Sequence, residues 1–461
     1  MSAPDFATDG EVRAIGALPP NPVVDAVGTT PDQGPVLDTR IRLAASVAWE
    51  TVTLQGELDQ VTGQILGDTW AFGQTTDTRG RDRLDALTLA GLVPRRASVR
   101  WRTGAFEAEG GLVPSRWGLG MLANDGAGDP LFGRTDFGDR VVRARFTTAP
   151  VENLYTSVAG DLVVADEVAR LANGERALQG IASVLYADKT GKKLGTYLVY
   201  RDQREADVER FTRVGVIDAF GDVALGPRDG WIVRLAAEGA LITGHTDKAS
   251  SYNSRTGLGV LAGGAAVQTA LETASWTAHL RGGWASGDGA PDDDASHAFG
   301  FDPDYDAGMV LFDEVLAAIE AGAQAQLLDP ANSAAPPDGY DALTHEGAVV
   351  GASYLQPAFT VRPREWLDLR VGAVVGWSTA PVGQAFASFR NGGVAAGPGG
   401  VATDGYALGS EVDWAMGIGR PVGDDNKPRP QGLVQGGHAF LSDNLGGGRA
   451  DLLLAAARLR W

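Results

Sequence analysis

Ala450-Asp451-Leu452-Leu453-Leu454-Ala455-Ala456-Ala457-Arg458-Leu459-Arg460-Trp461 closes the chain. Leu453, Ala455, Ala457, Leu459 and Trp461 fall on every second position, while Arg458 and Arg460 occupy the alternate row. A spacing of two puts successive side chains on opposite faces of an extended strand. One face of this strand is therefore apolar and ends on an aromatic ring, and the other carries full charge. A closed protein core does not accept unpaired charge. Lipid outside and water inside accommodate both faces, which predicts an all-β transmembrane antiparallel barrel. Leu452 and Leu454 depart from the pattern on the inward face, and are expected high in the barrel or against a loop packed inside it.

The same alternation recurs along the chain. Ile41, Leu43, Ala45, Val47 and Trp49 alternate with Arg40, Arg42 and Ser46. Ala97, Val99 and Trp101 alternate with Arg96, Arg100 and Arg102, and Val142, Ala144 and Phe146 alternate with Arg143 and Arg145. Further rows are Trp276–Trp284, Leu367–Trp377 and Val412–Ile418. Several rows end on Trp (Trp49, Trp101, Trp284, Trp377), where an interfacial aromatic girdle belongs. A soluble sandwich with charge outside and a second sheet covering the apolar face stays open at this point.

The connections favour the barrel. Short turns fall near 49–51, 103–104, 150–153, 188–193, 226–230, 272–274 and 362–365, and longer segments separate them near 17–37, 66–94, 113–138, 166–176, 245–255, 287–346 and 378–404. Alternating short and long connections are the pattern of periplasmic turns and outer loops. With a first strand at Phe6–Ile15, the count comes to about 18, and Ala450–Trp461 should pair with that first strand. The chain reads as one barrel domain over residues 1–461. Its longest loop, about 287–346, has Leu311, Val315, Ile319 and Ala323 at helical spacing, which predicts a short amphipathic helix over the mouth or in the lumen.

Composition agrees with this reading. The chain has 461 residues, 63 glycines, no cysteine and a formal charge of −19. No apolar run approaches the ~20 residues of a membrane helix; the nearest, Thr256–Leu271, is broken by Gly257, Gly259, Gly263 and Gly264 and reads as a strand. The acidic balance argues against a nucleic-acid partner. Met1-Ser2-Ala3-Pro4 has neither the basic start nor the apolar core of a signal peptide. The expectation is a mature outer-membrane protein of a Gram-negative bacterium whose leader has been removed.

Two segments carry a resemblance. Trp117-Gly118-Leu119-Gly120-Met121-Leu122-Ala123-Asn124-Asp125-Gly126, with Asp136-Phe137-Gly138-Asp139-Arg140-Val141, resembles an uncharacterised family of porin-like bacterial outer-membrane barrels. Ser286-Gly287-Asp288 before a long acidic loop is similar to alginate-export-type barrels, a broader likeness, from which the chain departs by placing acids among the inward arginines. The resemblance implies a large single-chain channel and leaves the solute open. The terminal strand likewise resembles the segment that the outer-membrane assembly machinery recognises, with Leu459 and Trp461 as the signal. An amphipathic edge strand can pair with an open sheet edge during insertion.

The candidate pore-lining residues are the inward charges. The basic set is Arg40, Arg42, Arg96, Arg100, Arg102, Arg143, Arg145, Arg234, Arg281, Arg370, Arg458 and Arg460; the acidic set is Glu57, Asp59, Glu107, Glu109, Glu238, Asp368, Glu411 and Asp413. Acidic strands 51–64 and 104–112 interleave with basic strands 38–49, 95–102 and 139–149, so opposite charges should face each other across neighbours. One reading is a polar pore with an anion-favouring basic sector; the other is a salt-bridge ladder that holds the wall together.

The remaining motifs carry less. Asp288–Glu314 holds nine carboxylates, and Asp302, Asp304, Asp306 and Asp313 occupy positions 1, 3, 5 and 12 of a calcium-loop spacing. Ala307 stands where that loop needs glycine and Pro303 stiffens its start, so a solvated acidic loop is the leading reading, with divalent bridging to lipopolysaccharide as a further one. Gly118–Ala123 and Gly257–Ala262 match a loose dinucleotide fingerprint outside any βαβ unit. Asp188-Lys189-Thr190-Gly191 reads as a hairpin turn, and His345-Glu346 lacks the second histidine of a zinc-hydrolase motif. No nucleophile elbow is present, so neither a catalytic residue nor a cofactor is assigned. The expected function is a passive outer-membrane channel for ions or small hydrophilic solutes. The alternatives are a structural or surface-binding barrel plugged by 287–346, and an export channel for an anionic polysaccharide. The expected partners are outer-membrane lipid and lipopolysaccharide, the assembly machinery and small solutes.

Overall fold

The computed structural model describes residues 4–67, 92–135, 138–205, 210–228, 230–251, 253–332, 347–419 and 429–461. The motif residues Asp136 and Phe137, His345 and Glu346, much of the 66–94 segment and the turn after Ile418 lie outside these residues. In chain order the strands are β1 (Asp5–Leu18), β2 (Val36–Ala48), β3 (Val52–Leu66), β4 (Val93–Arg102), β5 (Phe106–Pro114), β6 (Arg140–Val151), β7 (Leu154–Ala165), β8 (Arg176–Ala187), β9 (Lys193–Arg204) and β10 (Phe211–Arg228). They continue as β11 (Trp231–Thr246), β12 (Leu258–Glu272), β13 (Trp276–Ala285), β14 (Ala295–Ser296), β15 (Ala352–Arg364), β16 (Leu367–Ser378), β17 (Ala407–Gly419), β18 (Arg429–Leu441) and β19 (Arg449–Arg460).

All but β14 form one closed antiparallel wall of eighteen strands, each paired with its neighbours and β19 paired back to β1. The closing register matches Glu11 with Arg460 and Leu18 with Leu453. The first strand thus extends beyond the expected Phe6–Ile15 at both ends. Trp461 joins the seam through reciprocal backbone hydrogen bonds with Gly10 at 3.1 Å, and its ring lies where a Cβ on residue 10 would stand. β14 is a two-residue strand running parallel to β12 at Gly259–Val260.

The faces are inverted relative to a soluble protein. Leu43, Leu54, Val99, Val142, Phe146, Leu241, Val371 and Leu459 are exposed on the outside, whereas Glu11, Arg40, Asp59, Glu109, Asp161 and Glu411 are buried within. This distribution removes the soluble sandwich. Exposed Trp49 and Trp101 lie at the end with the short turns, and exposed Trp284 and Trp377 at the opposite end.

Two connections fold inward. In the β13–β15 connection, a π-helical turn at Leu311–Leu316 leads into α1 (Ala317–Leu328). The expected helix is therefore present, but it does not present one wet face: Ala317, Ala318, Ile319, Ala321, Gly322, Ala323 and Leu327 are all buried. Ala317, Ala318, Ile319 and Ala321, with Phe299, Phe301, Tyr305, Met309 and Phe312, form a core with Ala240, Ala266, Val374, Leu408 and Ala415 of the wall. Leu452 and Leu454 belong to that core, so these two leucines pack on a loop inside the barrel. The short helix α2 (Ala385–Arg390) follows β16, with Gln384 accepting a 2.6 Å hydrogen bond from the Ala387 N–H at its start.

The β5–β6 connection, expected as an outer loop, is the second inward segment. It reaches β10 and β11 through Trp117 and Leu119. Phe132, fully buried, lies against Gly372 on β16.

Candidate functional site in the barrel interior

The inward charges fall into two groups with different partners. The first is a ladder across β19, β1 and β2 to β7. Arg40 reaches Glu11 at 2.6 Å. Arg42 holds Asp59 through two hydrogen bonds, 2.6 and 2.7 Å, with Glu57 at 3.4 Å. Arg143 holds Asp161 in the same forked way, at 2.8 and 2.6 Å. Forked guanidinium–carboxylate pairs fix geometry and use both acceptor oxygens. Next to them, Arg96, Arg100, Arg102 and Arg145 share, among the described residues, only Glu107 and Glu109 as acidic partners, over 2.5–3.9 Å. That cluster keeps more guanidinium than carboxylate, and the side chains of Arg100 and Arg145 stay 31% exposed. Arg143, by contrast, is 12% exposed and its partner Asp161 is fully covered.

Arg95 adds to this wall although strict alternation would turn it to lipid. A register shift sets Glu57 opposite Arg96 but Leu58 opposite Pro94, so the extra residue in β4 points inward as in a β-bulge. Arg95 is buried, donating to the Gly138 and Asp125 carbonyls. Glu11, Arg13, Asp38, Asp161, Arg201 and Asp218 also belong to the inward face and were not among the expected residues. Their alternation was legible: Glu11 and Arg13 lie on one row of β1 and Asp38 on the row of Arg40 and Arg42 in β2, while Asp161 is the one charge of β7.

The second group holds the inward loops. Glu411 accepts hydrogen bonds from the backbone N–H groups of Met309, Val310 and Leu311 at 2.7, 2.9 and 2.7 Å. A carboxylate is well placed where the first N–H groups of a helix lack intrahelical partners. Gly308, at φ +117°, makes the approach possible, since a Cβ there would meet Val374 and the Glu411 carboxylate. Glu238 accepts from the Leu119 N–H, and the Trp117 indole donates to Asp218 at 2.8 Å. Trp117 stacks on Tyr197 at 5.0 Å and meets Phe220 edge-on at 5.3 Å. Glu238, Glu411 and Asp413 are almost fully buried. They were expected to line a pore; packed against the loops, they are not open to the lumen.

The other expected residues sit near the short-turn end. Arg234 pairs with Glu272 at 2.8 Å, Arg370 with Asp368 at 2.8 Å, and Arg281 with Asp306 at 2.9 Å. Arg281, Arg370, Asp368, Tyr305, His279 and Arg362 line a cavity of ≈ 450 Å³ beneath the inward loops. Arg458 and Arg460 both bond Asp129 of the β5–β6 connection, at 2.6 and 3.0 Å.

Asp302, Asp304, Asp306 and Asp313 do not assemble as one ligand set. Asp304 accepts from the Gly138 N–H at 2.7 Å, and Asp306 is taken by Arg281 and the Leu131 N–H. Among the described residues, Asp302 instead meets Asp139 and Glu167, with ligand atoms within 4.8 Å of one another. Burial and the facing acids raise Asp139 and Asp302 well above the ordinary carboxylate range, and burial with Asp166 pushes Glu167 up to about 7. The folded loops therefore hold protons that the unfolded chain releases, so this stabilisation is full at low pH and is lost as pH rises through about 7. Limited proteolysis of the 166–175 segment should speed up between about pH 6 and about pH 8; equal rates would contradict the shifts.

No family model matches the chain, and no curated protein sequence matches it. Solved structures do. OccAB1 of Acinetobacter baumannii aligns over 98% of this chain and 96% of its own, with a TM-score of 0.55 and 11% identity. OprD of Pseudomonas aeruginosa aligns over 99% and 95%, at 0.54 and 10%. OpdK of Pseudomonas aeruginosa, solved with vanillate, aligns over 99% and 99%, at 0.50 and 11%. At this identity the likeness shows a common fold, that of outer-membrane barrels. It agrees with the porin-like part of the resemblance drawn from Trp117–Gly126 and lends no support to the alginate-export part.

Proposed function

We propose that the chain is an outer-membrane channel through which small hydrophilic solutes pass without chemistry, drawn along the arginine face of β4–β6. The observation that carries this reading is the surplus of guanidinium at Arg96, Arg100, Arg102 and Arg145 over Glu107 and Glu109, with Arg100 and Arg145 still partly exposed. A lumen of one sign concentrates ions of the other, so the preferred solutes are anions despite the chain's net charge of −19. The likeness to the OprD and Occ outer-membrane proteins, one of them solved with the carboxylate vanillate, supports a small-solute channel. The Gram-negative outer membrane is the proposed location. Lipid would cover the exposed apolar wall, lipopolysaccharide would lie at the long-loop end, and the assembly machinery would read the strand ending in Leu459 and Trp461.

Replacing Arg100 and Arg145 together by serine should abolish most of the anion preference of the reversal potential in a salt gradient. Arg143→Ser should leave that preference in place, because Arg143 is already saturated by Asp161. It should cost stability instead, about 3–5 kcal/mol for a buried carboxylate left alone, read as a lower unfolding midpoint. The reverse assignment of these two effects would overturn the proposed path.

A second reading has its own observation. The apolar core of residues 299–321 against the wall from β11 round to β1 fills that part of the interior, as a plugged structural barrel requires. Purified protein that gives no conductance steps until 302–328 is removed, and steps afterwards, would favour the plug.

A further inference from the structure

Every pair of neighbouring strands in the wall is also joined along the chain, except β1 and β19, which bring the two ends together. A hairpin turn keeps its strands at high effective concentration; the seam has no such link, so lateral opening there meets the least chain resistance. The seam also carries a charge problem. Arg40 of β2, and Arg458 and Arg460 of β19 crowd around Glu11, which accepts from Arg40 at 2.6 Å and Arg460 at 2.8 Å, with Arg458 at 3.3 Å. Among the described residues, this one carboxylate of the wall does not balance the three guanidinia.

The β5–β6 connection brings the missing contacts, and it brings them to the four strands around the seam. Asp129 bonds Arg458 and Arg460 of β19. Gly133 and the Gln435 side chain of β18 exchange two hydrogen bonds, at 3.1 and 2.7 Å. Arg134 reaches Asp38 of β2, and Arg13 of β1 donates to the Thr135 carbonyl at 3.2 Å. We propose that residues 129–135 are an internal clip that holds the barrel shut along its β1–β19 seam. The same segment that narrows the interior would thereby stabilise closure, so shortening this loop to widen the passage would loosen the wall.

Hydrogen exchange on the full chain in micelles tests this. In Asp129→Asn combined with Arg134→Gln, amides of Glu11–Leu18 and Leu453–Arg460 should exchange roughly three- to tenfold faster, while those of β7 and β8 keep their rates. Wild-type protein in about 1 M salt, where the screening length falls to about 3 Å, should show the same selective change, and needs no variant to fold. Unchanged seam rates in both experiments, or an equal acceleration in β7 and β8, would overturn the clip.

Discussion

Glu411→Ala should raise the single-channel conductance several-fold and make it noisy, because it unfastens the inward helical segment from the wall. The Glu411 carboxylate is fully buried and accepts three consecutive N–H groups, from Met309, Val310 and Leu311. Each buried donor left without an acceptor costs about 1–3 kcal/mol, so the three together approach the whole stability of a docked segment. The apolar core behind it, with Phe299, Phe312 and Val315 against Val374 and Ala415, opposes complete release. The expected state is therefore one of rapid partial undocking rather than an unfolded barrel. Glu411→Gln keeps one acceptor oxygen and should lie between. Planar-bilayer recordings decide it: conductance equal to wild type in Glu411→Ala would mean that the segment does not obstruct the path.

The second large effect is expected at Gly118, in the Trp-Gly-Leu-Gly turn. Gly118 has φ +53°, and a Cβ there would stand 2.5 Å from the Glu238 carboxylate. Gly118→Ala must therefore push the turn off Glu238, freeing the Leu119 N–H and pulling Trp117 from its stack on Tyr197. A non-glycine residue in this region of φ carries about 1–3 kcal/mol of strain as well. Near-ultraviolet circular dichroism should lose the signal of the Trp117–Tyr197 pair. Conductance should rise, because the loop's hold on β10 and β11 is gone. An unchanged aromatic spectrum would show that the turn tolerates the methyl group and that Glu238 is not its anchor.

The barrel was legible because its rule is local. Period-2 rows such as Leu453 to Trp461 state the two faces without knowledge of any partner strand, and the strand count follows from where the rows stop. The ladder was legible for the same reason: acid-bearing and arginine-bearing strands alternate in the chain, and antiparallel neighbours bring them together. The inward loops were not, because their contacts are remote. Nothing in the spacing around Glu238 or Glu411 says that a segment over a hundred residues away will occupy the carboxylate, so both read as pore charges. Leu452 and Leu454 were the visible sign that something apolar lies inside. Arg95 escaped because a bulge shifts the alternation by one residue, a shift that only the register against β3 reveals. Trp117–Met121 stood out as a motif, but its reason is the hook on Asp218 and Glu238, which the sequence separates from it.

The reversal potential of single wild-type channels in a salt gradient tests the central claim most directly. Stable steps with a clear anion preference are predicted, carried by the guanidinium surplus at Arg96, Arg100, Arg102 and Arg145. Steps that favour cations, or no steps at all from folded protein, would contradict it.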